Sequence, residues 1–315
     1  MEVTAGMGAP VHLDVLATQL CARIPGGTGR YTRELIGSLA KTMGPLDDVT
    51  AVVSLGCKAA ADLPVQTRAI PLPVPLLARL WERGMPPAVG SAGRVVHAPT
   101  LLAPPTARGV PLVVTIHDAV PWTHPETLTP RGVAFHRRMA AWVAAEADVI
   151  VTPTLAVAAS LRTILRPVAR LEVVPPGAAA LPVPSDAHAL LGAAGVVRPF
   201  VLFVGTAEPR KALDVLVRAM ADPVTDDLDL VVVGQQGWGG VDTPGLVAAA
   251  GIGSRVVQVG RVDDLMLAAL YDGARVLAMP SRAEGFGLPV LEAMAAGLPV
   301  VVSDDPALVE VGGDA

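Results

Sequence analysis

Short apolar runs alternate along this chain with segments whose apolar positions recur every three to four residues. Residues 11–17, 50–55, 95–97, 112–116, 149–152 and 171–174 are short, Val-rich and nearly all apolar, which predicts buried strands. Between them, Tyr31, Leu35, Ile36 and Leu39 stand at helical spacing and predict a helix over 29–41. Residues 135–147 and 157–165 read as further helices. The stretch 181–186 is rich in Pro and small residues and reads as a linker. The alternation then resumes, with strands over 199–204, 228–233, 256–259, 276–279 and 300–303 and helices over 213–220, 264–271 and 289–296. Strand–helix alternation of this kind implies parallel sheets covered by helices. The expectation is α/β with two doubly wound, Rossmann-like domains, 1–178 and 179–315, facing a cleft. The last residues, Gly312-Gly-Asp-Ala315, have a loop composition after one strand and a short helical turn, so the second domain reads as incomplete at its C-terminal end.

Composition narrows this picture without changing it. A length of 315 residues suits two domains, and a 52% hydrophobic content supplies two cores, although only 3% is aromatic. No basic start leads into an apolar run, and no uninterrupted apolar stretch is long enough for a spanning helix. Cys21 and Cys57 suggest neither a disulfide framework nor metal spacing, so a cytoplasmic location is the default expectation. The net charge of −5 is uneven: residues 1–180 hold 16 basic and 12 acidic side chains, residues 181–315 hold 8 and 17. The basic first half is a candidate for peripheral contact with an anionic membrane face or for a phosphate-bearing substrate, and four surplus charges over 180 residues are equally compatible with no partner. Residues 76–83 mix Arg79 and Arg83 with Leu and Trp81 and read as a helix packed on the first domain rather than one lying on a membrane.

The chemistry concentrates in Glu284-Gly-Phe-Gly-Leu-Pro-Val-Leu-Glu292, after the strand 276–279. Two carboxylates eight residues apart flank a turn with two glycines that runs into an alanine-rich helix. Gly285 and Gly287 permit close backbone approach and positive φ, and Pro289 suits a first helical turn. Amides near Gly287 and Leu288 then face an anion, which the helix dipole favours. The two acids suit hydroxyl groups, and neither Glu284 nor Lys211 is expected in a core. A second motif, Val204-Gly-Thr-Ala-Glu-Pro-Arg-Lys-Ala-Leu213, sets Arg210 and Lys211 at the carboxyl end of a strand, where two cations suit a diphosphate leaving group. The first βα turn carries Gly26-Gly27 but lacks the full G-x-G-x-x-G dinucleotide pattern. His117-Asp118 follows the strand 112–116, and His97 lies at the end of 95–97, each placed to project into a cleft.

Together these residues resemble the retaining glycosyltransferases of family 4, also called glycosyl transferases group 1, with the GT-B fold. Glu284 and Glu292 reproduce that family's E-x7-E signature in its E-G-F-G-L-P form. Glu208-Pro-Arg-Lys211 is similar to its phosphate-binding basic pair, and Gly26-Gly27 and His117-Asp118 to its first-domain loop and histidine. The resemblance implies a nucleotide-sugar donor whose diphosphate is held by Arg210, Lys211, Gly27 and the amides of Gly287 and Leu288. It implies Glu292 on the ribose, and Glu284, Gly285 and Phe286 on the donor sugar. His117 and Glu284 become the candidate catalytic residues. No metal or other cofactor is implied, and no nucleic-acid partner. The acceptor would be a glycan, a lipid-linked molecule or a small molecule. The wording Gly-Thr-x-Glu-Pro-Arg-Lys is similar to mannosyltransferase-like members and points to GDP-mannose, with a UDP-sugar as the other donor. Family chains normally continue past this end into a helix that crosses back to the first domain. That departure leaves a truncated or inactive nucleotide-binding partner subunit as the alternative to an enzyme. A GT-B epimerase or phosphorylase is disfavoured by the E-G-F-G-L-P form.

Overall fold

The computed structural model describes residues 10–22, 26–178 and 181–313. It contains two parallel sheets, each with a topological switch point. The first has seven strands: β1 His12–Leu16, β2 Asp48–Ser54, β3 Gln66–Ile70, β4 Arg94–Ala98, β5 Leu112–Thr115, β6 Val149–Thr152 and β7 Arg170–Val173. Their order is β3-β2-β1-β4-β5-β6-β7, with every pair parallel. The order reverses direction between β1 and β4, which opens a crevice at the carboxyl ends there. The second sheet has five: β8 Phe200–Val204, β9 Asp229–Val233, β10 Val256–Gly260, β11 Val276–Met279 and β12 Val300–Val302, in the order β10-β9-β8-β11-β12. Its switch point lies between β8 and β11.

The apolar runs form central strands because both faces of each sheet are covered. Side chains of successive residues point to opposite faces. Phe200 and Leu202 of β8 therefore join Val231 and Val233 of β9 in one core, while Val201 and Phe203 join Leu230 and Val232 in the other. In the first sheet Val15, Val49, Ala51 and Val53 pack with Ile36 of the helix Gly26–Thr42. Contacts group Met1–His117, Ala134–Thr152 and Leu161–Val173 into one compact unit, and Asp118–Val133, Pro153–Ser160 and Val174–Ala315 into the other.

Four features differ from the sequence reading or add to it. β3 has no apolar run because it is an edge strand: four of its five residues are exposed and only Ile70 is buried. Asp14 of β1 is buried and held by Arg94 Nε at 2.7 Å and Arg68 Nη2 at 2.5 Å, a pairing across strands that no local pattern announces. Cys21 and Cys57, whose spacing suggested no disulfide framework, form a disulfide. They stand 36 residues apart in sequence, but the short turns that follow β1 and β2 bring them together. This removes the cysteine argument for a cytoplasmic location, since disulfides persist mainly in oxidising compartments. The helix predicted over 76–83 is Val74–Trp81; it buries Leu77 and Trp81, and the Trp81 indole donates to the Pro87 carbonyl at 2.9 Å. Among the described residues, no helix is long and apolar enough to cross a membrane.

Candidate functional site

The two sequence motifs meet at the switch point of the second sheet. β8 delivers Glu208, Arg210 and Lys211, the last two on a single 3-10 turn, Pro209–Lys211. Ala212 then takes a left-handed conformation, φ 51°, and turns the chain into the helix Leu213–Ala219. β11 delivers Glu284, after which Gly287 at φ +93° starts the helix Leu288–Ala295. Gly287 is required twice over. A side chain would be strained at that φ, and an added Cβ would come within 2.6 Å of Leu308 Cδ2. Gly285, also expected to supply positive φ, is not among the residues that adopt it. The amides of Val290 and Leu291 bond back to the Gly287 carbonyl, and Pro289 has no N–H, which leaves Gly287 and Leu288 as the first-turn donors outside the helix's own bonding.

Glu284 is the centre of a buried ionic cluster. Its Oε2 accepts from Arg210 Nη1 at 2.7 Å and its Oε1 from Lys211 Nζ at 2.5 Å. Arg210 Nη1 also donates to the Ala283 carbonyl at 2.8 Å, and its Nη2 donates to Glu208 Oε1 at 2.7 Å. The Glu284 side chain is 7% exposed and that of Lys211 12%, so both are interior groups, contrary to expectation. Burial acts to raise the Glu284 carboxyl, but Arg210 and Lys211 outweigh it and hold the carboxyl at about 2. Burial pushes the Lys211 ammonium down, with Glu284 opposing. Burial likewise raises Glu208, whose second oxygen is buried without a hydrogen-bond partner. Arg210 is raised: burial would lower it, and Glu284, Glu208 and Asp118 overcome that. With all four groups ionised, the two cations and two carboxylates sum to zero. An incoming dianion would therefore compete with the carboxylates for Arg210 and Lys211, or drive a proton onto Glu208.

Glu292 lies in the same helix and is buried rather than solvated. Its Oε2 accepts from the Tyr271 hydroxyl at 2.8 Å, and Tyr271 is itself 2% exposed. The pattern around Tyr271 reads only as core helix, so its polar role is not legible in sequence. Glu208 stands inside a recognised motif, but a lone acid beside two cations signals nothing by itself.

Gly27 and His117 belong to the other compact unit. Gly27 is in the first turn of the helix Gly26–Thr42. His117 Nε2 lies 2.7 Å from the Pro99 carbonyl and must carry a proton there, because a carbonyl only accepts. The Tyr31 ring meets the His117 ring edge-on, centroids 4.9 Å apart. His97 Nε2 sits 2.9 Å from Thr115 Oγ1. Burial first, and then the charge of His117, hold the His97 imidazole down at about 4. An unfolded imidazole titrates near 6.5, so between these values the unfolded chain binds more protons than the folded one. The resulting stability is fully present above about pH 6.5 and is lost as pH falls toward 4. Thermal unfolding of the wild type should fall off between pH 7 and 4.5 by about 2 kcal/mol more than that of His97→Gln; parallel curves for the two proteins would remove His97 as the cause.

Comparison with known proteins identifies the family and the fold. The model for Glycosyltransferase Family 4 matches residues 25–179, and the model for Glycosyl transferases group 1 matches residues 198–315. The chain belongs to the family 4, or group 1, glycosyltransferases. A D-inositol 3-phosphate glycosyltransferase of Nocardia farcinica is 38% identical to this family 4 chain over 146 residues, which are 43% of the chain and 32% of the relative. The serotype-specific mannosyltransferase WbdA of Escherichia coli is 36% identical over 132 residues, 41% of the chain and 16% of that protein. The matched segments thus span a third or less of these relatives. Among solved structures, a sucrose-phosphate synthase from Thermosynechococcus elongatus superposes with a TM-score of 0.69 at 22% identity, covering 94% of this chain and 82% of the other. Anabaena HepE in complex with UDP and glucose gives 0.68 at 19% identity, covering 95% and 82%. These likenesses show the fold, which is GT-B.

Proposed function

We propose that this family 4 chain transfers a sugar from a nucleotide-diphosphate sugar to a hydroxyl acceptor with retention of anomeric configuration. The observation that carries this reading is the buried Glu284 carboxylate clamped by Arg210 and Lys211 beside a helix N-terminus, at a topological switch point. Cations and amides there suit a diphosphate, and a permanently ionised carboxylate suits sugar hydroxyls. In the reaction the bond from the anomeric carbon to the diphosphate breaks, and an acceptor oxygen bonds on the same face. The acceptor's proton leaves with the departing phosphate. Arg210, Lys211 and the Gly287 and Leu288 amides neutralise the charge that develops on the leaving group. Glu284, with Gly285 and Phe286, holds the donor sugar, and Glu292 the ribose.

For the donor base, the mannosyltransferase relatives and the Glu208-Pro-Arg-Lys211 wording favour GDP-mannose, while the HepE complex illustrates UDP on the same fold. Thermal shift with UDP, GDP and their sugars separates these, because a ligand that binds only the folded state raises the midpoint. Transfer assays with the stabilising donor then follow. Nucleotide binding without turnover, here and in a chain extended at its C-terminus, would support the partner-subunit alternative instead.

The Tyr271 hydroxyl fixes one oxygen of Glu292 and so the orientation of the other. Tyr271→Phe should weaken nucleotide diphosphate binding about 10- to 100-fold, the equivalent of one hydrogen bond to a charged group, as read by calorimetric titration. An unchanged dissociation constant would detach Glu292 from the ribose.

A further inference from the structure

We propose that Thr154 is a positioning residue for the donor-binding turn 284–287, acting from the N-terminus of a helix 131 residues away in sequence. The proposal rests on the donor-site reading given above. Thr154 is 1% exposed and immediately precedes the helix Leu155–Leu165. Its hydroxyl donates to the Gly285 carbonyl at 3.1 Å and accepts from the Val157 N–H at 3.2 Å. A threonine hydroxyl has one proton and two lone pairs, so a single group caps its own helix and pins the turn.

The helix start is itself anchored beside the turn. The Glu310 carboxylate accepts from the Leu155 N–H at 2.7 Å and the Ala156 N–H at 2.9 Å. Glu310 belongs to the helix Pro306–Gly312, whose Leu308 occupies the space beside Gly287 that a Cβ would need. Asp305 caps that helix through the Ala307 and Leu308 amides, at 3.0 and 3.2 Å, and also takes the Glu284 backbone N–H. The turn is thus held at Glu284 by Asp305, at Gly285 by Thr154 and against Gly287 by Leu308. Gly285 is held by a hydrogen bond from Thr154, whose hydroxyl can be removed without changing the side chain's shape. If its carbonyl is released, the peptide planes on either side can rotate. The Gly285 peptide lies between Glu284 on one side and the Gly287 and Leu288 amides on the other.

Thr154→Val keeps the shape and removes both hydrogen bonds, whereas Thr154→Ser keeps both. In the ligand-free protein, amides of residues 284–288 should exchange with deuterium at least about tenfold faster in Thr154→Val and at the wild-type rate in Thr154→Ser. The dissociation constant for UDP or GDP, whichever binds the wild type, should rise about tenfold in Thr154→Val and stay within threefold in Thr154→Ser. Unchanged exchange at 284–288 in Thr154→Val, with only its melting temperature lowered, would reduce Thr154 to a helix cap and overturn the proposal. Wild-type protein that binds neither nucleotide would refute the donor-site reading, and the exchange result would still decide whether Thr154 holds the turn.

Discussion

Glu284→Ala should abolish transfer and also lower the stability of the compact unit that carries the site. The side chain it removes is the shared partner of two cations, Arg210 at 2.7 Å and Lys211 at 2.5 Å, in a site where all three side chains are 15% exposed or less. Arg210 keeps Glu208, but Lys211 loses the carboxylate that its ammonium meets at 2.5 Å. Breaking a buried pair from one side costs about 3–5 kcal/mol, because the remaining charge stays desolvated. Burial already pushes the Lys211 ammonium down, and the variant removes Glu284, the largest influence opposing that shift. Turnover should fall at least about a thousandfold, with loss of the group that sets the two cations and that we assign to the donor sugar. Calorimetric unfolding and transfer kinetics read the two effects separately. Glu284→Gln keeps the shape and part of the hydrogen bonding, so it should recover some stability and little activity. Full turnover in Glu284→Ala would end its assignment to the donor.

The same residue gives the protein an acid limb of known sign. The Glu284 carboxyl sits at about 2 in the folded state against 4.5 in the unfolded chain. Its stabilisation is therefore complete above pH 4.5 and is lost as pH falls toward 2. Glu208 acts in the opposite direction, because burial raises it. Below pH 4.5, Glu284→Ala should lose stability less steeply than the wild type.

Lys211→Ala should reduce kcat by about 10²- to 10³-fold, the usual effect of deleting one charge-stabilising donor from a preorganised site, with a much smaller effect on folding than Glu284→Ala. Arg210 still pairs both Glu284 and Glu208 after the change. The cluster becomes one charge more negative, and Glu208, already raised by burial, loses one of the cations that hold it down. What is lost, on the proposed reading, is the compact charge that meets the leaving diphosphate. If it acts in the transition state, kcat and kcat/KM fall together; a rise in KM alone would assign Lys211 to ground-state binding. Lys211→Arg should not rescue, since a planar fork does not replace a point charge in a closed site.

The strands and most helices were legible because period is a local property. An apolar run such as 199–204 can only be covered on both faces, and β8 follows from that alone. The edge strand β3 was not legible, because pairing on one side leaves it exposed and unpatterned. Glu284, Glu292, Arg210 and Lys211 were legible as a set because their motifs follow strand ends, where open α/β sheets place ligands. Their environment was not. Glu284 and Lys211 look like surface residues in sequence, since nothing near either one announces that each neutralises the other 73 residues away. Tyr271 on Glu292 and Thr154 on Gly285 escaped for the same reason.

By itself, then, the sequence determined two parallel α/β sheets and the residue types gathered at the switch point of the second, because alternation and turn chemistry act over a few neighbouring positions. Only the tertiary structure decided which of those groups are buried, which charges cancel, that Cys21 meets Cys57, and that the Thr154 hydroxyl meets the Gly285 carbonyl 131 residues away. Desolvation and pairing are set by what folding brings within a few ångströms, and that distance is not written in sequence separation.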